Sequence, residues 1–246
     1  GASIKPLNGE GGIFTAEQVK DAIREKDYHS PQTRVISIEQ TTNLGGGRIW
    51  PLQKIKGIAE VALENDLKMH MDGARMLNAA VEAEVDPAEY GQYFDSIWID
   101  LSKGLGAPVG SVLAGSAEFI EKARFWKQRL GGAMRQAGII AAGGIFALEH
   151  NVARLKEDHK HAKMLAETIA DQDGLEIDPK TVETNIVLFS VKDGKTDLFA
   201  DELLKKGIRV SRLEGKLRAV THLDLSLEDI RYTVKHIEKT AREVFA

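Results

Sequence analysis

The sequence predicts an α/β protein: a large unit on a mostly parallel sheet, followed by a small α+β unit. Three observations carry that prediction. Short β-branched apolar runs alternate with longer helical patterns through the first half, which is the order that βαβ units require. After Asp171 the order changes to strand, helix, two strands and a helix. The chain has 246 residues, one large domain or one and a half at ~150 residues each, which suffices to bury a full hydrophobic core.

Taken in order, Thr15–Lys26 reads as a helix opened by the capping box TAEQ, in which Thr15 and Gln18 bond each other's backbone donors. Arg34–Gln40 (RVISIEQ) reads as the first strand, and Pro51–Asn65 as a helix whose first-turn proline loses nothing by lacking an N–H. Lys68–Asp72, Ser96–Leu101 and Gly110–Gly115 are the remaining strands of the large unit. From Met134 to Asp171 one long helical pattern runs through Ile139, Leu148, Leu155 and Ile169, and Gly143–Gly144 predicts a kink or break within it. The small unit is expected as a strand at Asn185–Val191, a helix at Thr196–Lys206, strands at Arg209–Leu213 and Lys216–Thr221, and a helix from Ser226 to Phe245. The expected domains are therefore 1–150 and 151–246, tied by the long helix, with QDGLEIDPK at 172–180 as a short connection. There is no internal repeat and no low-complexity tract.

Composition narrows the function classes. Thirty-seven acidic against 33 basic side chains give a formal charge of −4, without the basic footprint of a nucleic-acid binder. With no cysteine, a disulfide scaffold and a thiolate metal site are both impossible, and no metal site is expected. No stretch approaches the ~20 apolar residues of a membrane span, so the reading is a soluble, cytoplasmic protein.

Two polar residues stand where strands run out: Asp72 after KMHM and Lys103 after SIWIDLS. One crossover fits between them, so in a parallel sheet both side chains emerge at the carboxyl edge, where open α/β sheets place ligands. Small residues follow each, Gly73–Ala74 and Gly104 with Gly106–Ala107, and would let a ligand approach the backbone. A lysine and an aspartate there are the two groups that pyridoxal 5'-phosphate (PLP) requires, an amine for its aldehyde and a carboxylate for its pyridine nitrogen. The plain structural alternative is that Asp72 caps a helix starting at Ala74 and Lys103 is a solvated loop lysine.

At these residues the chain resembles a known family. HMDGARMLNAAVE followed by SIWIDLSKGLGAPVGSVLAGS is similar to the PLP-dependent threonine aldolases of the fold-type I, aspartate aminotransferase superfamily. VISIEQTTNLGGGRIWPL, GGAMRQAGIIAAGGIFALEHNVARL and LRAVTHLDLS match further family segments in order, and the resemblance covers essentially all of the chain. It implies a fold-type I large domain and a small C-terminal domain, with the active site between them. It makes Lys103 the lysine that joins the cofactor aldehyde, Asp72 the pyridinium partner, Arg75 and Arg218 the grip on the substrate carboxylate, and Ser102 and Arg135 cofactor contacts. Arg75 is also counted among the cofactor contacts. Two parallel charge-assisted bonds from a guanidinium suit a carboxylate in a way that lysine cannot copy. His29 matches a histidine near the substrate hydroxyl, where imidazole titrates in the range to take its proton. His70, two residues before Asp72, should share its face and support the pocket. Thr42 and Asn43 match a polar loop, Gln40 stands where the family more usually has asparagine, and Leu44–Gly47 resembles a small insertion.

The implied activity is that of a lyase cleaving threonine, allo-threonine or a related β-hydroxy-α-amino acid to glycine and an aldehyde. β-Elimination or transamination on the same scaffold, and a non-catalytic subunit that cannot hold PLP, are the alternatives. The implied partners are a small amino acid and further copies of the chain, as a dimer or tetramer. The resemblance further implies a stretch ahead of the point matching Gly1, carrying the loop that cradles the cofactor phosphate. The expectation is therefore the C-terminal part of a longer protein, with an open sheet edge and uncovered apolar surface for another polypeptide or a tight oligomer to cover.

Overall fold

The computed structural model describes residues 2–25 and 27–246; Gly1 and Lys26, limits of the expected first domain and first helix, lie outside the described residues. Two compact units form, one of Gly1–Gly45 with Ile49–Val152 and one of Gly46–Arg48 with Ala153–Ala246. No helix among the described residues is long and apolar enough to cross a membrane.

In the first unit, α1 (Ala16–Ala22) opens with the full capping box: Gln18 N–H donates to Thr15 Oγ1 at 3.2 Å and Thr15 N–H to Gln18 Oε1 at 2.8 Å. β1 (Val35–Glu39), α2 (Leu52–Glu64), β2 (Lys68–Gly73), α3 (Met76–Ala83), α4 (Pro87–Gly91), β3 (Ser96–Asp100), β4 (Ser111–Gly115), α5 (Ala117–Arg129) and α6 (Gly138–His150) follow. Pro51 is the N-cap of α2, one position ahead of its first turn. Asp86 and Glu89 close a second capping box around α4 with Pro87 at its start, and the Ser116 hydroxyl accepts from Phe119 N–H to start α5.

The sheet order is β1-β2-β3-β4, with β1, β2 and β3 parallel and β4 antiparallel to β3. Residues 101–110 are too few for the dozen or more that a parallel crossover needs, so the chain must double back there. Period-2 alternation divides the strands into two faces. Ile36, Ile38, Met69 and Met71 are buried on one face and join the core with Ile55, Ile58 and Val61 of α2, Trp50 and Phe14. Each such side chain removed from water contributes roughly 1.5–3 kcal/mol before the entropy of ordering it is subtracted. The other face carries the registered rows Ser37, His70, Ser96 and Glu39, Asp72, Trp98.

The long helical pattern is not one helix. α6 ends at His150, Asn151 caps it while its side-chain amide donates to Leu105 O at 2.7 Å, and α7 (Leu155–Ala170) begins afresh after Arg154. The break expected at Gly143–Gly144 is absent because those glycines serve packing. A Cβ on Gly143 would lie 2.8 Å from Pro108 Cδ, and one on Gly144 2.8 Å from Leu101 Cδ1. The helix start also shifts, from the expected Met134 to Gly138.

In the second unit, β5 (Leu175–Glu176), β6 (Ile186–Val191), α8 (Thr196–Lys205), β7 (Ser211–Leu213), β8 (Lys216–Val220) and α9 (Leu227–Phe245) form an antiparallel sheet in the order β5-β6-β8-β7 with its helices. The expected connection at 172–180 thus contains an edge strand, β5, and meets a 3₁₀ turn at Pro179–Thr181. The core holds Phe189 edge-on to Phe199 at 6.4 Å, with Leu165, Ile169, Leu203 and Ile237 around them. Asp158 of α7 is fully buried, pairs with Arg154 at 2.7 Å, and its backbone carbonyl accepts from Thr221 Oγ1 at 2.7 Å.

Candidate active site

The first unit gathers polar groups at the carboxyl ends of its parallel strands. Asp72 is the fifth residue of β2 and sits opposite Glu39 on one side and Trp98 on the other. One oxygen, Oδ1, accepts from Ala74 N–H at 3.1 Å, closing the turn into α3; the other has no partner among the described residues. His70 lies on the same face, with Nδ1 2.8 Å from Ser96 Oγ. The chain after β1 is stitched to this edge: Gln40 N–H donates to Asp72 O at 2.8 Å and Arg75 N–H to Gln40 O at 2.9 Å. The buried Gln40 amide spans to Trp50, accepting from its N–H at 3.0 Å and donating to its carbonyl at 3.3 Å.

Lys103 lies three residues beyond β3. Its ammonium is 3.3 Å from Asp100 Oδ2 and 5.4 Å from the centroid of the Trp98 ring. Trp98 is the registered neighbour of Asp72, so Lys103 and Asp72 stand beside the same side chain on the same face of the sheet. Ser102 turns both its amide and its hydroxyl onto Asp100 Oδ1, at 2.7 Å each, and the Lys103 amide joins them at 3.1 Å. Burial pushes the Asp100 carboxyl up, but the Ser102 donors and the Lys103 ammonium outweigh it and hold the group below the ordinary carboxylate value.

The small residues at the edge have structural tasks. A Cβ on Gly73 would collide with the Trp98 carbonyl, so Gly73 serves the neighbouring strand, contrary to the expected room for a ligand. Gly106 adopts φ 69°, which closes the turn after Lys103 and favours glycine.

The remaining residues are placed as follows. Arg75 is the half-buried N-cap of α3, three residues beyond Asp72, and both backbones bond to Gln40. Arg135 is exposed in the turn before α6, three residues ahead of the helix instead of within it. His29 is exposed in a turn and its amide bonds Asp27 Oδ1 at 3.1 Å; no hydrogen bond joins it to Lys103, Asp72 or Arg75. Thr42 is buried, and Asn43 N–H donates to Glu39 Oε2 at 2.8 Å. Arg218 belongs to the second unit, on β8 between Leu188 and Ser211. The structure therefore brings Asp72, Arg75, Ser102 and Lys103 to one sheet edge and leaves His29 and Arg135 on exposed turns. Sequence reasoning missed Asp100 and Trp98. An aspartate two residues ahead of a serine is a turn signature that marks the first, while alternation from Ser96 marks the second.

The chain is similar to known proteins in both sequence and fold. The beta-eliminating lyase family profile matches residues 1–193. Low-specificity L-threonine aldolase 1 of Arabidopsis thaliana is 38% identical over 234 residues, 92% of this chain, and the chain spans 65% of that relative's length. Among solved structures, a threonine aldolase of Leishmania major superposes with a TM-score of 0.77 at 15% identity, over 96% of this chain and 69% of the other. An SPT structure solved with PLP gives 0.71 at 17% identity, over 94% and 60%. At those identities the structural likeness establishes the fold, a fold-type I, mostly parallel large domain with a small α+β domain.

Proposed function

The chain belongs to the beta-eliminating lyase family, and on that premise we propose that it is a PLP-dependent aldolase. It would cleave threonine, allo-threonine or a related β-hydroxy-α-amino acid to glycine and an aldehyde. The observation that carries the reading is Lys103 and Asp72 flanking Trp98 at the carboxyl ends of adjacent parallel strands. The residues present fit the cofactor: one Asp72 oxygen has no protein partner among the described residues, and a lysine is anchored beside the same ring.

In this reading Lys103 would hold the cofactor's aldehyde carbon, Asp72 its pyridine nitrogen, and Ser102 and Arg135 its phosphate, with Arg75 alongside. PLP, when bound, supplies an aldehyde that captures the substrate amine and a ring that accepts the electron pair of a bond breaking at the α-carbon. Arg75 and Arg218 are assigned to the substrate carboxylate, fixing the α-carbon by paired charge-assisted bonds. His29 is assigned to the β-hydroxyl, whose proton it accepts as the Cα–Cβ bond breaks and the aldehyde departs; a proton returned to the α-carbon completes glycine. The Asp72 carboxylate, paired with the pyridine nitrogen, would hold a proton on that nitrogen.

We also assign the chain to a homo-oligomer, a dimer or tetramer. The first unit exposes Phe125 and Trp126 at 55% each, Leu130 at 81% and Ile139 at 86%, and α5 buries no side chain. Apolar surface of this kind marks an interaction face. A cysteine-free chain fits the reducing cytoplasm to which we assign it.

The test is product analysis: threonine and allo-threonine are supplied with PLP, and glycine and acetaldehyde are measured against ammonia and keto acid. Equimolar glycine and acetaldehyde support the aldolase reading. Keto acid with ammonia would move the protein to β-elimination, and keto acid alone, with the amino group kept on the cofactor, to transamination.

A further inference from the structure

We propose that Asp100 is the resting partner of Lys103, a positioning residue whose carboxylate holds the lysine ammonium at the sheet edge whenever that lysine is not bonded to the cofactor. The inference rests on the proposed role of Lys103 and adds a residue to which neither the family comparison nor the resemblance assigns a task. The two oxygens of Asp100 divide the work. Oδ1 accepts from Ser102 N–H, Ser102 Oγ–H and Lys103 N–H, which shapes the turn. Oδ2 receives the Lys103 ammonium at 3.3 Å. The carboxylate side chain is only 13% exposed and is held by three donors, while that of Lys103 is 40% exposed and is the more accessible partner. The Trp98 ring lies against the same ammonium.

An aldolase of this kind must release its lysine when the substrate amine takes the cofactor and recover it when glycine leaves. A lysine free to rotate through its four-carbon stem would have to search for that position. Held at Asp100, it stays beside Asp72's neighbour Trp98 throughout. The ion pair also competes with the bond to the cofactor, because the lysine must give up its proton and its partner before it can react.

Asp100→Asn separates the two tasks. Asparagine keeps an oxygen for the turn, a position it occupies as readily as aspartate, but the NH2 that replaces Oδ2 only donates and cannot accept from an ammonium. The experiment labels the full chain without cofactor with limiting acetic anhydride and compares Lys103 with the exposed Lys54 by peptide mass. Exposed and partly exposed ion pairs of this type imply a rise in relative Lys103 labelling of about two- to five-fold in Asp100→Asn. At limiting PLP the same variant should gain lysine-bound cofactor and show a raised KM for threonine. A residue that merely shaped the turn would lose both labelling and cofactor. Raising sodium chloride from about 0.05 to 1 M provides a measurement independent of the variant's folding, since screening should raise Lys103 labelling in the unmodified chain. Unchanged or reduced Lys103 labelling in a folded Asp100→Asn chain, or no response to salt in the unmodified one, overturns the assignment. The two readings fail separately: PLP fixed by borohydride to another lysine refutes the proposed function. PLP on Lys103 with labelling indifferent to Asp100 refutes this inference alone.

Discussion

Replacing Gly143 by alanine sets two effects of known size against each other. Gly143 lies inside α6, and glycine to alanine in a helix interior stabilises by up to ~1 kcal/mol. Against this, the new Cβ would lie 2.8 Å from Pro108 Cδ and 3.1 Å from Pro108 Cγ. A proline ring cannot rotate aside, so the chain around Pro108 must shift, and overpacking of this kind costs ~1–3 kcal/mol. The net expectation is a loss of about 1 kcal/mol. At Gly138, the first residue of the same helix, an added Cβ would meet nothing within 4 Å, so Gly138→Ala avoids the clash and keeps a smaller part of the gain. Thermal and urea unfolding of the two variants side by side should therefore move in opposite directions. At ~2–4 °C per kcal/mol for a chain of this length, the two melting temperatures should separate by several degrees. Because Pro108 follows Lys103 by five residues, Gly143→Ala should also lower the yield of PLP on Lys103. Stabilisation by Gly143→Ala equal to that by Gly138→Ala would refute the packing argument.

Gln40→Ala leaves the buried N–H and C=O of Trp50 without the Gln40 amide, and at ~1–3 kcal/mol for each orphaned group the urea midpoint should fall by an amount equivalent to about 2–6 kcal/mol; a loss well under 1 kcal/mol would show that water replaces the amide. Asp95 and Asp100 are both held below the ordinary value of 3.8, in each case because donors and a lysine outweigh burial. Depressed folded values mean stability that is complete above about pH 5 and lost as pH falls through them, so the melting temperature should drop below about pH 4. Asp95→Asn and Asp100→Asn should each flatten that drop. Arg218→Lys keeps the charge but loses the paired bonds, and should raise the KM for threonine roughly ten-fold or more with a smaller change in kcat; an unchanged KM would remove Arg218 from the carboxylate grip.

The strands were legible because alternation and β-branching mark them locally, and β1, β2, β3, β4, β6 and β8 lie where those patterns put them. The capping boxes at Thr15 and Ser226 were equally readable, since a cap is a contact between residues three apart. What failed depended on distant neighbours. Gly143 and Gly144 look like a helix break in one dimension, yet Pro108 and Leu101 occupy the space that they leave. Asn151, whose side chain reaches Leu105, marks the true end of α6. At the site, strand ends predicted that Asp72 and Lys103 share an edge. The ion pair that anchors the lysine involves Asp100, which the aspartate-to-serine spacing marks for the turn but not for the lysine. Alternation from Ser96 puts Trp98 on its face of β3, but its place beside Asp72 comes from register with β2, a strand distant in sequence.

The assignment of Lys103 is tested by adding PLP to the purified full chain, reducing with borohydride and locating the modified lysine by peptide mass. The expected result is phosphopyridoxyl on Lys103, with the visible absorption of lysine-bound cofactor before reduction and loss of both in Lys103→Ala. Label on a different lysine, or scattered over exposed lysines such as Lys54 and Lys216, would contradict it.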